Sequence, residues 1–115
     1  MCMPISAMEQ FILNKDATIK EAMGMINTNC RGSIVVVDDQ QRLVGVLSDG
    51  DIRRSLVKGT SMHSSIENVL NLNPEYVEEF SDIQSEAKSI FSTNAAINIL
   101  PVVDKNMFVK EVIIR

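Results

Sequence analysis

The strongest constraint on this chain is an internal repeat. Val36-Val37-Asp38 recurs 66 positions later as Val102-Val103-Asp104, while Leu13 and Val77, Ile19 and Ile83, and Ile26 and Ile90 each stand 64 apart. The change of offset places a two-residue insertion near the end of the second copy's first helix. A period of about 65 residues is too long for a solenoid unit, whose periods run from about 20 to 50. In a chain of 115 residues it fits two small α/β units packed pseudo-symmetrically.

Both units read in the same order. Gln10–Leu13 is a short apolar run ending in the turn-like Asn14-Lys15-Asp16. Thr18 with Glu21 three residues on has the form of a capping box. Ile19, Ala22, Met23 and Ile26 then follow the i, i+3, i+4, i+7 spacing of one helical face, closed by Arg31-Gly32. Ser33–Val37 is a β-branched run that reads as a strand buried on both sides. After the polar turn at Asp38–Gln41, Arg42–Leu47 reads as the returning strand of a hairpin. Ser48-Asp49-Gly50-Asp51 opens a helix carrying Ile52, Leu56 and Val57 that ends near Lys58-Gly59. The second unit has a short strand over Pro74–Val77, then a helix capped by Asp82 with Ile83, Ala87, Ile90 and Phe91 on one face. An apolar run from Ile97 to Val103, interrupted by Pro101, turns at Asp104-Lys105-Asn106 into Met107–Ile114.

Composition removes several function classes. Eleven Lys and Arg against fifteen Asp and Glu give a net charge of −4, with one Tyr and four Phe, so the basic field and stacking platform of a general nucleic-acid binder are missing. Cys2 and Cys30 lack metal-ligand spacing, and the start of the chain has neither a positive n-region nor a sustained apolar run. No apolar run approaches the ~20 residues of a membrane span, so a cytoplasmic protein without membrane contact is expected. The single His63 sits in a Ser-rich loop without a nucleophile or an orienting carboxylate, and no Gly-rich phosphate loop of the Walker or dinucleotide type occurs. No catalytic or metal-binding residue is expected.

Gly45-Val-Leu-Ser48-Asp-Gly-Asp51, following a Val-Val-Asp hairpin, resembles the motif of the CBS domain, a family named after cystathionine β-synthase. Two such repeats form a CBS pair, and the resemblance covers nearly the whole chain. The fold class this implies is α/β (α+β). Each tandem repeat would run strand-helix-strand-strand-helix, with residues 1–61 forming the first, 62–115 the second, and the second's last helix truncated. Leu47–Arg54 is similar to CBS pairs fused to bacterial sugar-phosphate nucleotidyltransferases of the mannose-1-phosphate guanylyltransferase type. Sugar-phosphate isomerases of the arabinose-5-phosphate type carry a similar stretch. A start at Met1 and a stop where the last helix should begin favour the nucleotidyltransferase context, with a catalytic domain following the pair.

The resemblance implies an adenosine-containing ligand such as AMP, ADP or ATP, with no permanently bound cofactor. Gly45 would let the backbone approach it, Ser48 would offer a hydroxyl at a helix N-terminus that favours phosphate, and the Asp51 carboxylate would accept two ribose hydroxyls. Ser33, Ile34 and Val35 would line the base pocket, and Arg53 and Arg54 would reach toward phosphate. The same residues also read as ordinary helix caps and an exposed basic face. In the second repeat Glu111 stands where Gly45 does and Ile114 where Ser48 does, so one ligand per chain is expected, at the first motif. The resemblance further implies a homodimer packed through the helices around Ile52, Leu56, Val57, Ile83, Ala87 and Ile90. A ligand-free module that only dimerises or positions its enzyme is the competing reading.

Overall fold

The structure, a computed structural model, describes residues 9–115; Met1 and Cys2 lie outside the described residues. In chain order the elements are β1 (Ile12–Asn14), α1 (Ile19–Asn29), β2 (Ser33–Val37), β3 (Leu43–Ser48), α2 (Asp49–Val57), β4 (Val77–Glu78), α3 (Ile83–Thr93), β5 (Ile99–Val103) and β6 (Val109–Ile114). They form two three-stranded sheets, β1-β2-β3 and β4-β5-β6, each with a parallel outer strand and an antiparallel hairpin around the central one. No helix among the described residues is long and apolar enough to cross a membrane.

The local signals act as expected. Thr18 and Glu21 close their capping box at 3.2 Å each way, and Cys30 ends α1 in the left-handed region at φ 58°. Ile19, Ala22 and Ile26 are buried, whereas Met23 lies outside the core. Asn29 takes the next inward position, its amide donating to the Gln10 and Ser33 carbonyls. The apolar run expected as a strand over Pro74–Val77 contributes only Val77–Glu78. This short β4 begins opposite Val102, so Pro101, which has no N–H to donate, has no β4 partner.

β2 and β5 are buried along their whole length, and their alternating side chains separate three cores. Ile34 and Val36 point outward with Leu47 to meet Ile19, Ala22, Ile26 and Ile52 of the two helices. Leu100 and Val102 make the matching, smaller core with Ala87, Ile83 and Ile90 of α3. Between the sheets, Val35 and Val37 pack with Phe11, Ile99, Val103 and Val109. The layers therefore run helix, sheet, sheet, helix. Residues 66–70 return to the first repeat: Ile66 is fully buried in its helix-side core, with Val69 and Leu70 packed against it. Part of the stretch expected to open the second repeat thus covers the first.

The repeat is visible down to single angles. Both hairpins carry an irregularity at their last Val-Val step, and Gln41 and Met107, 66 residues apart, each have φ 70°. The hairpin tips grip one another. Leu43 N–H donates to Met107 O at 2.8 Å, Val109 N–H donates to Gln41 O at 2.9 Å, and the Arg42 guanidinium lies 5.6 Å from the centre of the Phe108 ring. The two-residue difference in offset falls after the helices, not within them. α1 and α3 both have 11 residues, but the loop to the next strand has three residues in the first repeat (30–32) and five in the second (94–98).

Truncating Ile34 to Ala removes a fully buried side chain and is expected to cost about 2–5 kcal/mol in urea unfolding. Val57→Ala, at a position 84% exposed, should stay within about 0.5 kcal/mol.

A second expectation concerns acid. The Asp38 carboxylate accepts the backbone N–H groups of Arg42 and Gln40, both at 2.9 Å. The Arg42 bond above all holds its pKa below the ordinary 3.8, against a smaller opposing effect of desolvation. A carboxyl whose folded pKa is depressed contributes its stabilisation above the ordinary value and loses it as pH falls through the folded one. Asp38→Asn keeps an acceptor but cannot titrate. The variant should therefore lose less stability than the parent when unfolding is measured below 3.8.

Candidate functional site

The strand-to-helix junction of the first repeat folds as a reciprocal cap. Ser48 is extended at φ −107°, ψ 161°; its Oγ accepts from Asp51 N–H at 3.1 Å, and Asp51 Oδ2 accepts from Ser48 N–H at 3.1 Å and from Ser48 Oγ at 2.9 Å. Arg54 donates to Asp51 Oδ1 at 2.6 Å. Capping and display on one side of the first turn therefore coexist: each side chain bonds the other while both face a cleft.

That cleft lies between the two repeats and holds about 300 Å³. The first repeat supplies Ser33, Val46, Ser48 and Asp51, and the second supplies Asn94, Ala96, Ile97, Asn98 and Ile99. The inter-repeat segment adds Asn71, Asn73, Pro74 and Glu75. The second repeat's wall is the lengthened 94–98 loop with the first residue of β5. Arg115 braces this loop from behind, its side chain donating to the carbonyls of Ile97 at 2.9 Å and Asn94 at 2.7 Å while stacking 4.9 Å from the centre of the Phe91 ring.

Of the residues expected from the sequence, Ser33, Ser48 and Asp51 meet at this cleft, and five do not. Ile34 and Val35 are fully buried, the first in the helix-side core and the second between the sheets; only Ser33, at the strand's end, reaches the cleft. Arg53 pairs with Asp49, and Arg54 pairs with Asp51 beside a separate hollow with Ser55, Lys58 and Thr60. Gly45 is buried away from the cleft. The asparagines, Pro74, Glu75 and the 94–98 loop escaped the sequence reading because sequentially distant segments deliver them. The one available signal was the two-residue insertion.

The second repeat confirms the register. Glu111 pairs with Val102 as Gly45 pairs with Val36, and Ile114 pairs with Ile99 as Ser48 pairs with Ser33. Ile114 packs into the core between the sheets, and Glu111 faces a separate groove. That groove, about 680 Å³, runs along α3 and β6 between Ile83, Ala87, Phe91 and Ile113. In the first repeat α2 occupies the corresponding place, against α1 and β3. The helix residues expected at a dimer face divide: Ile52 is core, Leu56 packs on it, Val57 is exposed and Ala87 is buried.

A pseudo-twofold pair of such units, with a cleft where their strand ends meet, is the fold of a CBS domain pair. Residues 7–58 match the model of the CBS domain family. A CBS domain pair/ACT domain protein of Thermotoga maritima superposes with a TM-score of 0.77 at 23% identity, over 90% of this chain and 80% of that one. CbpB solved in complex with c-di-AMP gives 0.74 at 20% identity, over 90% and 70%. The cytosolic domain of the Mg²⁺ channel MgtE in complex with ATP gives 0.71 at 22%, over 90% and 41%. In sequence, an uncharacterised protein of Helicobacter pylori is 30% identical over 95 residues, 83% of this chain and 29% of that protein. The arabinose 5-phosphate isomerase KpsF of Escherichia coli is 36% identical over 50 residues, 44% of this chain and 16% of the enzyme. The chain thus spans less than a third of the first curated relatives it matches, at 29%, 22% and 27% of their lengths.

Gly45 answers to a different neighbour from the one expected. A Cβ on it would lie 2.5 Å from the Asn71 carbonyl oxygen and 3.3 Å from its carbon. Asn71 is bridged to Val46 by backbone bonds of 3.1 and 3.2 Å, so the glycine admits the inter-repeat segment against β3 and sets one cleft wall. Gly45→Ala pushes against backbone, not a yielding side chain. The variant should lose about 1–3 kcal/mol of stability in thermal or urea unfolding.

Proposed function

We propose that this CBS pair is a regulatory module that binds an adenosine-containing ligand in the cleft between its repeats and modulates an attached sugar-phosphate enzyme. The observation that carries the reading is the meeting of Ser33, Ser48 and Asp51 with the 94–98 loop around one cavity. A ligand there touches both repeats at once, so its binding energy can depend on their relative packing, which is the requirement for coupling to a neighbouring domain. Neighbours of the same fold solved with c-di-AMP and ATP support an adenine-containing occupant. Asp51 accepts ribose hydroxyls in this reading by exchanging part of its hydrogen bonding to Ser48 or Arg54. One site per chain follows from Ile114 and Glu111 in the second repeat, and a homodimer is the proposed assembly.

The attached enzyme is a sugar-phosphate nucleotidyltransferase by the resemblance of Leu47–Arg54. An isomerase is the second reading, favoured by the KpsF match. With 95 matched residues making 29% of the Helicobacter protein and 50 making 16% of KpsF, the two relatives are about 330 and 310 residues long. Pyrophosphate release from a sugar 1-phosphate and a nucleoside triphosphate by the longer protein supports the first reading; conversion of arabinose 5-phosphate supports the second.

Ligand binding is tested by thermal unfolding of the chain with a panel of adenosine, AMP, ADP, ATP and S-adenosylmethionine, and guanine and cytidine nucleotides as contrasts. A ligand at a hundredfold excess over its dissociation constant stabilises the folded state by about 2.7 kcal/mol. At least one adenosine compound should raise the midpoint, and Asp51→Ala, checked for native circular dichroism, should lose the shift. A flat response to the whole panel would replace sensing with a ligand-free interaction module.

A further inference from the structure

The loop that forms the far wall of the cleft is held in a way its counterpart in the first repeat is not. Each repeat ties the loop after its first helix to the end of its hairpin by one backbone bond. Asp49 N–H donates to the Gly32 carbonyl at 2.8 Å, and 66 positions on Arg115 N–H donates to the Asn98 carbonyl at 2.8 Å. The three-residue loop turns through the left-handed region, with Cys30 at φ 58° and Gly32 at φ 76°. Residues 94–98 include no positive φ, and Asn94 leaves α3 extended at φ −136°, ψ 100°. The longer loop therefore has no tight turn of that kind. Asn94, Ala95 and Ala96 are also exposed, so little apolar burial fixes its course.

Arg115 supplies what packing does not. Its Nε donates to the Ile97 carbonyl at 2.9 Å and its Nη2 to the Asn94 carbonyl at 2.7 Å, while the guanidinium lies 4.9 Å from the centre of the Phe91 ring on α3. One planar fork thus ties the end of β6 to the last turns of α3 and to the loop between α3 and β5. Asp49, the equivalent residue of the first repeat, pairs instead with Arg53 along α2. Asn94, Ala96, Ile97 and Asn98 line the cleft, whereas Arg115 does not. Its side chain lies in the groove along α3 and β6.

On the adenosine-ligand reading above, we infer that Arg115 is a positioning residue for the cleft. It sets the far wall without touching the occupant, so the loop is ordered before binding and its ordering does not weaken association. The role is particular to arginine. A lysine keeps the charge but has no planar fork to span two carbonyls.

The test compares the 115-residue chain with Arg115→Ala and Arg115→Lys by amide hydrogen exchange and by calorimetric titration with adenosine, AMP, ADP, ATP and S-adenosylmethionine. The Ala96 and Ile97 amides bond to Asn94 within the loop. In Arg115→Ala they should exchange at least about tenfold faster, while the amides of β2 keep the parent's rates. The compound that binds the parent most tightly should bind this variant several-fold more weakly, and Arg115→Lys should recover only part of the loss. Unchanged exchange in the loop, faster exchange throughout the chain, or full recovery with lysine overturns the proposal. A loosened loop with unaltered affinity overturns the positioning role and leaves the adenosine reading standing. No heat from any compound with the parent chain overturns the adenosine reading and the positioning role with it.

Discussion

Everything in this molecule hangs on the packing of two fully buried strands, β2 and β5, across a pseudo-twofold axis. Each is flanked on both edges within its sheet and covered on both faces, so its side chains serve two cores at once. Val35, Val37, Ile99 and Val103 close the gap between the sheets, and their neighbours one residue along anchor the helices. Period-two alternation makes this unforgiving. A one-residue slip in either strand would exchange the two cores. The repeated irregularity at the last Val-Val step and the mutual grip of the hairpin tips pin the register in both halves.

Such symmetry would make two equal clefts, and the chain has broken it at a few positions. Ile114 stands where Ser48 does and packs in the apolar layer between the sheets; Glu111 stands where Gly45 does and lines the groove along α3 and β6. The three-residue loop after α1 becomes five residues after α3, and those extra residues build the far wall of the cleft that survives. The asymmetry lies at the strand ends and loops and at one mid-strand position, Gly45 against Glu111.

At the strand-to-helix junction of the first repeat, Ser48 and Asp51 cap α2 and still line the cleft. They bond one another at the first turn of α2, which holds both side chains at the cleft's edge. Two of the amides at the start of α2 are already bonded, Asp49 N–H to the Gly32 carbonyl and Asp51 N–H to Ser48 Oγ, and the arginines that follow in sequence have Asp49 and Asp51 as partners.

The sequence by itself determined the elements, their order, their caps and the twofold plan, because each depends on interactions a few residues long: capping boxes at Thr18 and Ser48, β-branched runs at 33–37, a repeat spacing of 64 to 66. Of the eight residues that the family resemblance singled out, Ser33, Ser48 and Asp51 line the cleft, and the hairpin register sets Ser33 opposite Ser48. Only the tertiary structure decided the rest. Whether Ile34 and Val35 face a ligand or a core depends on what covers both faces of β2, and the reason for Gly45 is a carbonyl 26 residues away. The 94–98 loop reaches the cleft because the second sheet docks against the first, whereas Asn71 is held there by its backbone bonds to Val46. No local pattern encodes that meeting; the burial of two valine-rich strands against each other does.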